Sequence, residues 1–441
     1  MDLLKQLALP QSAAQIEVLH FVLNMVYLLL LPFTAYLFGA LLFSLYHGRK
    51  GRTANDPLAQ RFAGEVMDHV LPNKSILFLF GVMPYLALVF AYAQLLQGTP
   101  SISVSVLTWG LLLFVAGCAF AYSYHAAFRV GAVLEGVTKE TDDIRTYRTE
   151  LSEQKRASAK YSVLFLFLAV FFLYAGTSLA AHTERWESVF TVVQLFWSPD
   201  VLVKFALFTA LSLLTAAVGT LFFTFRWEGG RTGVDEAYAA YIRSAVLRPA
   251  LVAVLAVPVL LTASVFTAPV TGLSGTYFGA VLFALLFLFL TSHFVYAMVK
   301  EGSDRYAGQA FYVLMFVFLS VIIGETALTA RATQRHSAVL AWKYDKHHEE
   351  LLAKLGISLK VISGEEIFTA KCSACHEFGQ KKVGPAYKEV LPKYEKDKAK
   401  LVSFVLNPVK VNPAFPPMPN QGLKPAEADS IASYILRMYK Q

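Results

Sequence analysis

Cysteine is nearly absent: three residues in 441, too few for a disulfide framework. Charge is scarce as well. Only 16% of the residues are Asp, Glu, Lys or Arg, against about 25% in an average soluble chain, which argues against a water-soluble protein of this length. The apolar regions lack ten-residue segments of alternating character, the mark of barrel strands, so a membrane barrel is not expected. The N-terminus lacks the basic flank and small-residue cleavage site of a removable signal peptide, and the first apolar run is expected to persist as a helix. What is abundant is apolar: 56% hydrophobic and 14% aromatic residues, gathered in long unbroken runs. The net charge of +8 falls between those runs. It therefore reads as loop charge at a membrane, not as a nucleic-acid surface.

Eight runs can cross about 30 Å of hydrocarbon at about 1.5 Å per residue. They are Ile16–His47, Ile76–Leu96, Val104–Phe128, Tyr161–Ala181, Val201–Phe225, Ala245–Thr267, Tyr277–Val299 and Phe311–Ala330. The loops between them alternate in charge. The first holds Arg49, Lys50, Arg52, Arg61 and Lys74; the third holds Arg129, Lys139, Arg145, Arg148, Lys155, Arg156 and Lys160. The fifth holds Arg226, Arg231, Arg243 and Arg248, and the seventh Lys300 and Arg305, whereas residues 97–101 and 268–275 carry no charge. Basic loops stay in the cytoplasm, so the odd loops are expected inside and both termini outside. Trp186 and Trp197 are then expected at the outer interface and Trp227 at the inner one. The implied setting is a bacterial inner membrane, with the N-terminus and the C-terminal domain on the periplasmic side.

Near the C-terminus stands Cys372-Ser-Ala-Cys375-His376, the Cys-x-x-Cys-His pattern of covalent haem attachment. Two thiols on one helical turn can form thioethers to the two vinyl groups, and the next side chain, His376, then points at the iron. Gly384-Pro385 is expected to turn tightly over the haem edge on the His376 side. Pro416-Pro417-Met418-Pro419 presents a thioether on a stiff loop, and thioether with imidazole is the ligand pair that raises haem potential. A zinc or thiol-redox site would need neither this histidine nor the later methionine. Met438 and Cys118 are expected only to pack. Ala426–Tyr439 reads as a closing amphipathic helix with Ile431, Tyr434 and Ile435 on one face. In this order of parts, residues 361–441 resemble the class I cytochromes c. One covalent haem c is implied, bound at Cys372 and Cys375 with His376 and Met418 on the iron. Haem attachment takes place outside the cytoplasm in bacteria, in agreement with the loop charges. The expected fold is all-α: an eight-helix transmembrane bundle over residues 1–330, a polar helical connector over 331–360, and a class I cytochrome c domain over 361–441.

Ionisable side chains within spans default to function. His20 and His182 fall near the outer ends of the first and fourth spans, and His125 and His293 toward the inner ends of the third and seventh. Paired in this way they offer ligands for a haem b in each leaflet; the alternative is that each reaches a headgroup or a backbone carbonyl. Two ligands at a fixed separation on one helix, the usual cytochrome b arrangement, are not found. Glu325 reads as a proton group or an interfacial carboxylate, and Lys204 as a snorkelling cation. Gly110, Gly117 and Gly219 are expected to open surfaces toward other membrane subunits.

Three strings make the helical part similar to the large subunit of cytochrome bd quinol oxidase: Leu31-Pro32-Phe33-Thr34, Phe80-Gly81-Val82, and Ser198-Pro199-Asp200-Val201-Leu202-Val203-Lys204-Phe205. The sequence also departs from that family. Aligned on Pro32, Tyr27 stands where the family has a haem-ligating histidine; aligned on Lys204-Phe205, Leu207 stands where it has another. The long external quinol loop is replaced by residues 268–275.

The first expectation for function is an electron-transfer subunit of a respiratory membrane complex, rather than a complete enzyme. Its partners would be other membrane redox subunits and a soluble acidic redox protein. The latter would be steered by Lys371, Lys381, Lys382, Lys393, Lys396, Lys398 and Lys400. A second expectation is a bd-like oxidase or reductase fed by its own cytochrome c. A third is a non-enzymatic scaffold that tethers one.

Overall fold

The computed structural model describes residues 10–137, 141–231, 233–355 and 363–440. Lys139 and the expected boundary at residues 360 and 361 lie outside the described residues. No strand occurs among the described residues. Among the described residues, eight helices are long and apolar enough to cross a membrane, one for each expected run. Along the chain they are α1 (Ala13–Thr53), then, after the short α2 (Pro57–Val70), α3 (Lys74–Leu95), α4 (Ser103–Glu135), α5 (Asp142–Ala181), α6 (Pro199–Phe225), α7 (Glu236–Phe266), α8 (Gly275–Glu301) and α9 (Ala307–Ala332).

The helices outrun the apolar segments. The largest difference is at α5, which starts at Asp142 rather than Tyr161. Thr141 caps it through the amide of Ile144, and Asp142 and Asp143 sit at the positive end of its dipole. The following Arg, Glu, Gln, Lys and Ala residues are good helix formers that hydropathy cannot see. The first basic loop also contains a helix that apolar runs do not reveal. Asp56 accepts from the amides of Leu58 and Ala59 at 3.1 Å each, Pro57 occupies the first turn, and α2 buries Ala59, Phe62, Ala63, Val66, Met67 and Val70. That spacing follows one helical face.

Within the bundle, α4 packs along α5, and α7 lies between α6 and α8. The glycines expected to face other subunits face the chain's own helices instead. A Cβ at Gly117 would come within 2.8 Å of Leu166, one at Gly110 within 2.2 Å of the Tyr85 hydroxyl, and one at Gly219 within 3.0 Å of Tyr36. Trp186, expected at the interface, is buried, with its indole N–H donating to the Leu179 carbonyl at 2.9 Å; Trp197 is exposed.

The chain divides into two compact units. One comprises residues 22–92 and 99–331; the other contains residues 332–441 together with the start of α1 and residues 93–98. In the second unit, helix α10 (Gln334–Lys354) lies on the C-terminal domain. Trp342 packs on its core and donates to Asp429 at 2.9 Å. The domain itself is built from α11 (Gly364–Ile367), which continues into a π turn at Phe368–Cys372, α12 (Lys398–Leu406) and α13 (Pro425–Tyr439). Helix α11 crosses α13 so closely that a Cβ at Gly364 would stand 2.4 Å from the Ser430 carbonyl. Leu391, Leu401, Val402, Ile431 and Ile435 form the core with Cys372.

Candidate functional site

The π turn carries the chain into the Cys372–His376 motif, with the Ser373 amide donating to the Phe368 carbonyl at 2.9 Å. The motif then closes as a turn: the amides of Cys375 and His376 both donate to the Cys372 carbonyl, at 3.1 and 2.9 Å. Cys372 is buried and Cys375 half-buried, and both are free thiols. Burial pushes the Cys372 thiol up, and the adjacent Lys371 opposes the shift.

His376 is fixed from two sides. Its Nδ1 lies 3.3 Å from the Pro385 carbonyl, which can only accept, so Nδ1 carries the proton and the Nε2 lone pair is left over. Its ring stacks on Tyr387, with centroids 5.0 Å apart and planes 8° apart. Burial holds the imidazole pKa below its ordinary value, with the Pro385 hydrogen bond opposing, so the ring is neutral at pH 7. The Gly384-Pro385 turn lies against the ring, as the sequence implied. A Cβ at Gly384 would come within 2.4 Å of Cε1, so only glycine fits this approach.

Opposite this wall a cavity of about 360 Å3 opens, lined by His376 and Met418 together with Tyr387, Leu391, Phe404 and Ile435. A smaller recess brings Cys372, Cys375 and Gly384 together with the same His376 and Met418. The four residues singled out from the motif thus converge on one apolar crevice. The residues fit a covalently held haem: two thiols, an imidazole lone pair and a thioether line the same recess. The motif pattern does not disclose that Tyr387 and the Pro385 carbonyl orient His376.

Lysines rim the crevice. Lys371 donates to the Gln421 carbonyl at 3.1 Å, Lys382 to the Ser373 carbonyl at 2.8 Å, and Lys381 lies over the Phe415 ring at 4.7 Å. Lys398, by contrast, is paired with Asp429 at 2.7 Å.

Of the four histidines that offered ligands for a haem b, two are held by carboxylates, and no support for a haem b appears. His182 has both ring nitrogens engaged, Nδ1 with Glu184 at 2.7 Å and Nε2 with Asp200 at 3.3 Å. Burial depresses its pKa, but the hydrogen bonds and charge of Asp200 and Glu184 outweigh that and raise it. His125 is bound through Nε2 to Asp68 at 2.7 Å, and His293 is exposed on the outside of α8. His20 lies half-buried on α1. Asp200 organises the start of α6. It accepts from Ser178 at 2.5 Å, from Arg185 at 3.2 Å and from Ser198.

Lys204 does not snorkel. It is buried and bound to Glu325 at 2.5 Å. Tyr27, at the position aligned with a ligating histidine, is buried and its hydroxyl lies 3.0 Å from that of Tyr92. Leu207 is buried. Among the described residues no cluster of three or more His, Cys, Asp or Glu side chains is arranged to hold a metal ion.

Residues 361–438 match the family model described as cytochrome c. The similar proteins include cytochrome c-551 of Pseudomonas denitrificans, 37% identical over 81 residues that make up 17% of this chain and 98% of that protein. Cytochrome c-552 of Hydrogenobacter thermophilus is 35% identical over 91 residues, 20% of this chain and 92% of its own length. Cytochrome c-551 of Azotobacter vinelandii is 34% identical over 79 residues, 17% and 95% respectively.

Proposed function

This chain belongs to the cytochrome c family through its C-terminal domain, and from that premise we propose that it is the electron-transfer subunit of a respiratory membrane complex. The domain carries a covalent haem c, and that group supplies a one-electron iron couple. The observation that carries the reading is the convergence of Cys372, Cys375, His376 and Met418 on one crevice. His376 and Met418 would hold the iron, Cys372 and Cys375 the vinyl carbons, and Tyr387, Leu391 and Ile435 would exclude water from the ring. In this reading the domain lies on the periplasmic face of a bacterial inner membrane, as the charge alternation of the loops argues.

Two features favour a partnered subunit over a complete enzyme. His125 and His182 of the bundle are committed to carboxylates, and the buried Lys204 is committed to Glu325. A large apolar surface is also left outside the bundle: of the most apolar stretch of α8 only 28% is buried within the chain, and Leu282, Phe283, Leu286 and Phe289 are exposed. That surface suits lipid and other membrane helices. The lysines at the crevice rim suit a soluble acidic redox protein, whose association would weaken as salt rises. The helical part is read as a divergent relative of the bd oxidase large subunit in which Tyr27, Tyr92, Lys204 and Glu325 fill space a haem would need. Glu325 remains the candidate for proton exchange.

The test is extraction of the native chain in mild detergent followed by pyridine haemochrome analysis. Haem c alone on this polypeptide, with a second redox cofactor on a co-purifying one, supports the proposal. A stable single chain with haem b or d and oxidase activity refutes it in favour of a bd-like enzyme. A lone haem c chain with no redox partner would favour a tethering scaffold.

A further inference from the structure

At the end of the bundle where the basic loops emerge, a cavity of about 610 Å3 opens between α1, α6 and α7. One face of α1 (Leu42, Phe43, Tyr46, His47, Lys50) meets one face of α7 (Tyr241, Ser244, Ala245, Arg248, Pro249) across it, and Leu213 of α6 closes the deep side. The level of these residues follows from one bond: His47 Nδ1 and the Tyr241 hydroxyl are 2.7 Å apart. Arg248 comes seven residues after Tyr241 on a helix running into the membrane, which places its Cα about 10 Å deeper. It is the last charged residue of α7.

Four arginines at this end have anions. Arg61 reaches Glu65 at 2.8 Å, Arg226 reaches Asp304 at 3.0 Å, Arg231 reaches Glu65 at 3.6 Å and Arg243 reaches Asp304 at 3.3 Å. Arg248, the deepest of them, is exposed and has no carboxylate within ion-pair distance among the described residues. A guanidinium at hydrocarbon depth without an anion is costly, and its long stem can lift the charge only toward the mouth of this cavity. Toward the end of α1 stands a second cation, Lys50, 5.2 Å above the Tyr241 ring and 3.6 Å from the Asp56 carboxylate, which shares its charge. Pro249 has no N–H, so the carbonyl of Ala245, which also lines the cavity, lacks its helical donor. The other walls, Leu42, Phe43 and Leu213, are apolar.

Arg248, Lys50 and a spare acceptor beside apolar walls complement an amphiphilic anion that also carries a donor. We propose that this cavity binds one anionic phospholipid, with its phosphate on Arg248 and an acyl chain along Leu42, Phe43 and Leu213. Basic clefts between spans are recognised lipid sites on general electrostatic grounds. The inference does not depend on which side of the membrane this end faces, nor on the redox partner.

The probe is phosphatidylglycerol against phosphatidylcholine, added to the purified full chain and counted as retained adducts by native mass spectrometry. The wild-type protein should retain phosphatidylglycerol preferentially. Arg248→Gln should reduce that preference about fivefold, as expected for loss of one interfacial cation, and adding Lys50→Gln should lower it further, by less than a second fivefold because Asp56 already shares that charge. Arg52→Gln removes a charge from the same end outside the cavity and should leave the preference unchanged. Ala245→Phe fills the cavity without altering charge and should abolish retention, so the idea stays testable if the arginine variant unfolds. Equal retention by wild type, Arg248→Gln and Ala245→Phe would overturn it. So would displacement of the lipid by a quinone analogue or by inorganic phosphate at matched concentration.

Discussion

At the residue scale, the strongest commitments are single side chains with single partners. Met418 reaches the crevice from a loop stiffened by Pro416, Pro417 and Pro419, so Met418→Ala removes the proposed ligand without disturbing a helix. The haem potential should fall, because thioether favours reduced iron, and the weak sulfur-to-iron absorption band should disappear. Redox titration of the visible spectrum checks both, and an unchanged potential would remove Met418 from the site. Glu325→Gln leaves Lys204 buried without its anion and should destabilise the bundle by about 3–5 kcal/mol, the usual penalty for orphaning a buried charge. Replacing both partners with apolar residues should restore much of that loss, which thermal unfolding of the single and double variants in one detergent would reveal. His182 yields a pH prediction. Its folded pKa is raised above 6.5 by Asp200 and Glu184, so its contribution is fully present below pH 6.5 and is lost as pH rises through the folded value. Melting curves of the wild type should therefore weaken on the alkaline side, and His182→Gln should flatten that limb. An identical pH profile in the variant would count against the assignment.

At the scale of elements, α10 is the informative one. A polar connector carries no apolar run, yet Trp342 half-buries its ring on the core of the C-terminal domain and bonds to Asp429. The helix is thus part of that domain's packing rather than a loose tether. Trp342→Ala should cost about 2–3 kcal/mol through lost burial and the lost hydrogen bond. For a domain of about 100 residues that lowers the melting midpoint by about 10–20 °C, measurable as thermal loss of the haem absorption in the full chain. Trp342→Phe keeps most of the area and should cost about 1 kcal/mol. Equal melting of all three proteins would show the helix to be a passive spacer.

At the scale of the whole molecule, orientation is the open consequence of the charge pattern. A cysteine in place of Val270, which is 82% exposed, should react with a membrane-impermeant thiol reagent in intact cells. One in place of Arg145, in the basic loop, should react only after lysis. Background is low, because Cys118 is buried and, in the proposed reading, Cys372 and Cys375 are bonded to haem. The opposite labelling pattern would invert the molecule and remove the periplasmic placement of the haem domain.

The eight apolar helices and the residues that meet in the crevice were legible from the sequence because both carry local marks. A span is a property of about 20 consecutive residues, and Cys372, Cys375 and His376 share one turn, with Met418 marked by its prolines. What the sequence left undecided was every choice of partner. The histidines at 125 and 182 looked like metal ligands until Asp68, Glu184 and Asp200 were placed beside them, and Lys204 looked interfacial until Glu325 came within 2.5 Å. Gly110, Gly117 and Gly219 looked like outward-facing surface until neighbouring helices closed on them. Hydropathy and spacing say that a side chain lies in the membrane, but the low dielectric there makes a charge depend on whichever group stands within a few ångströms. Which group that is, from a helix as many as 121 residues away in the case of Lys204 and Glu325, only the packing of the helices decides.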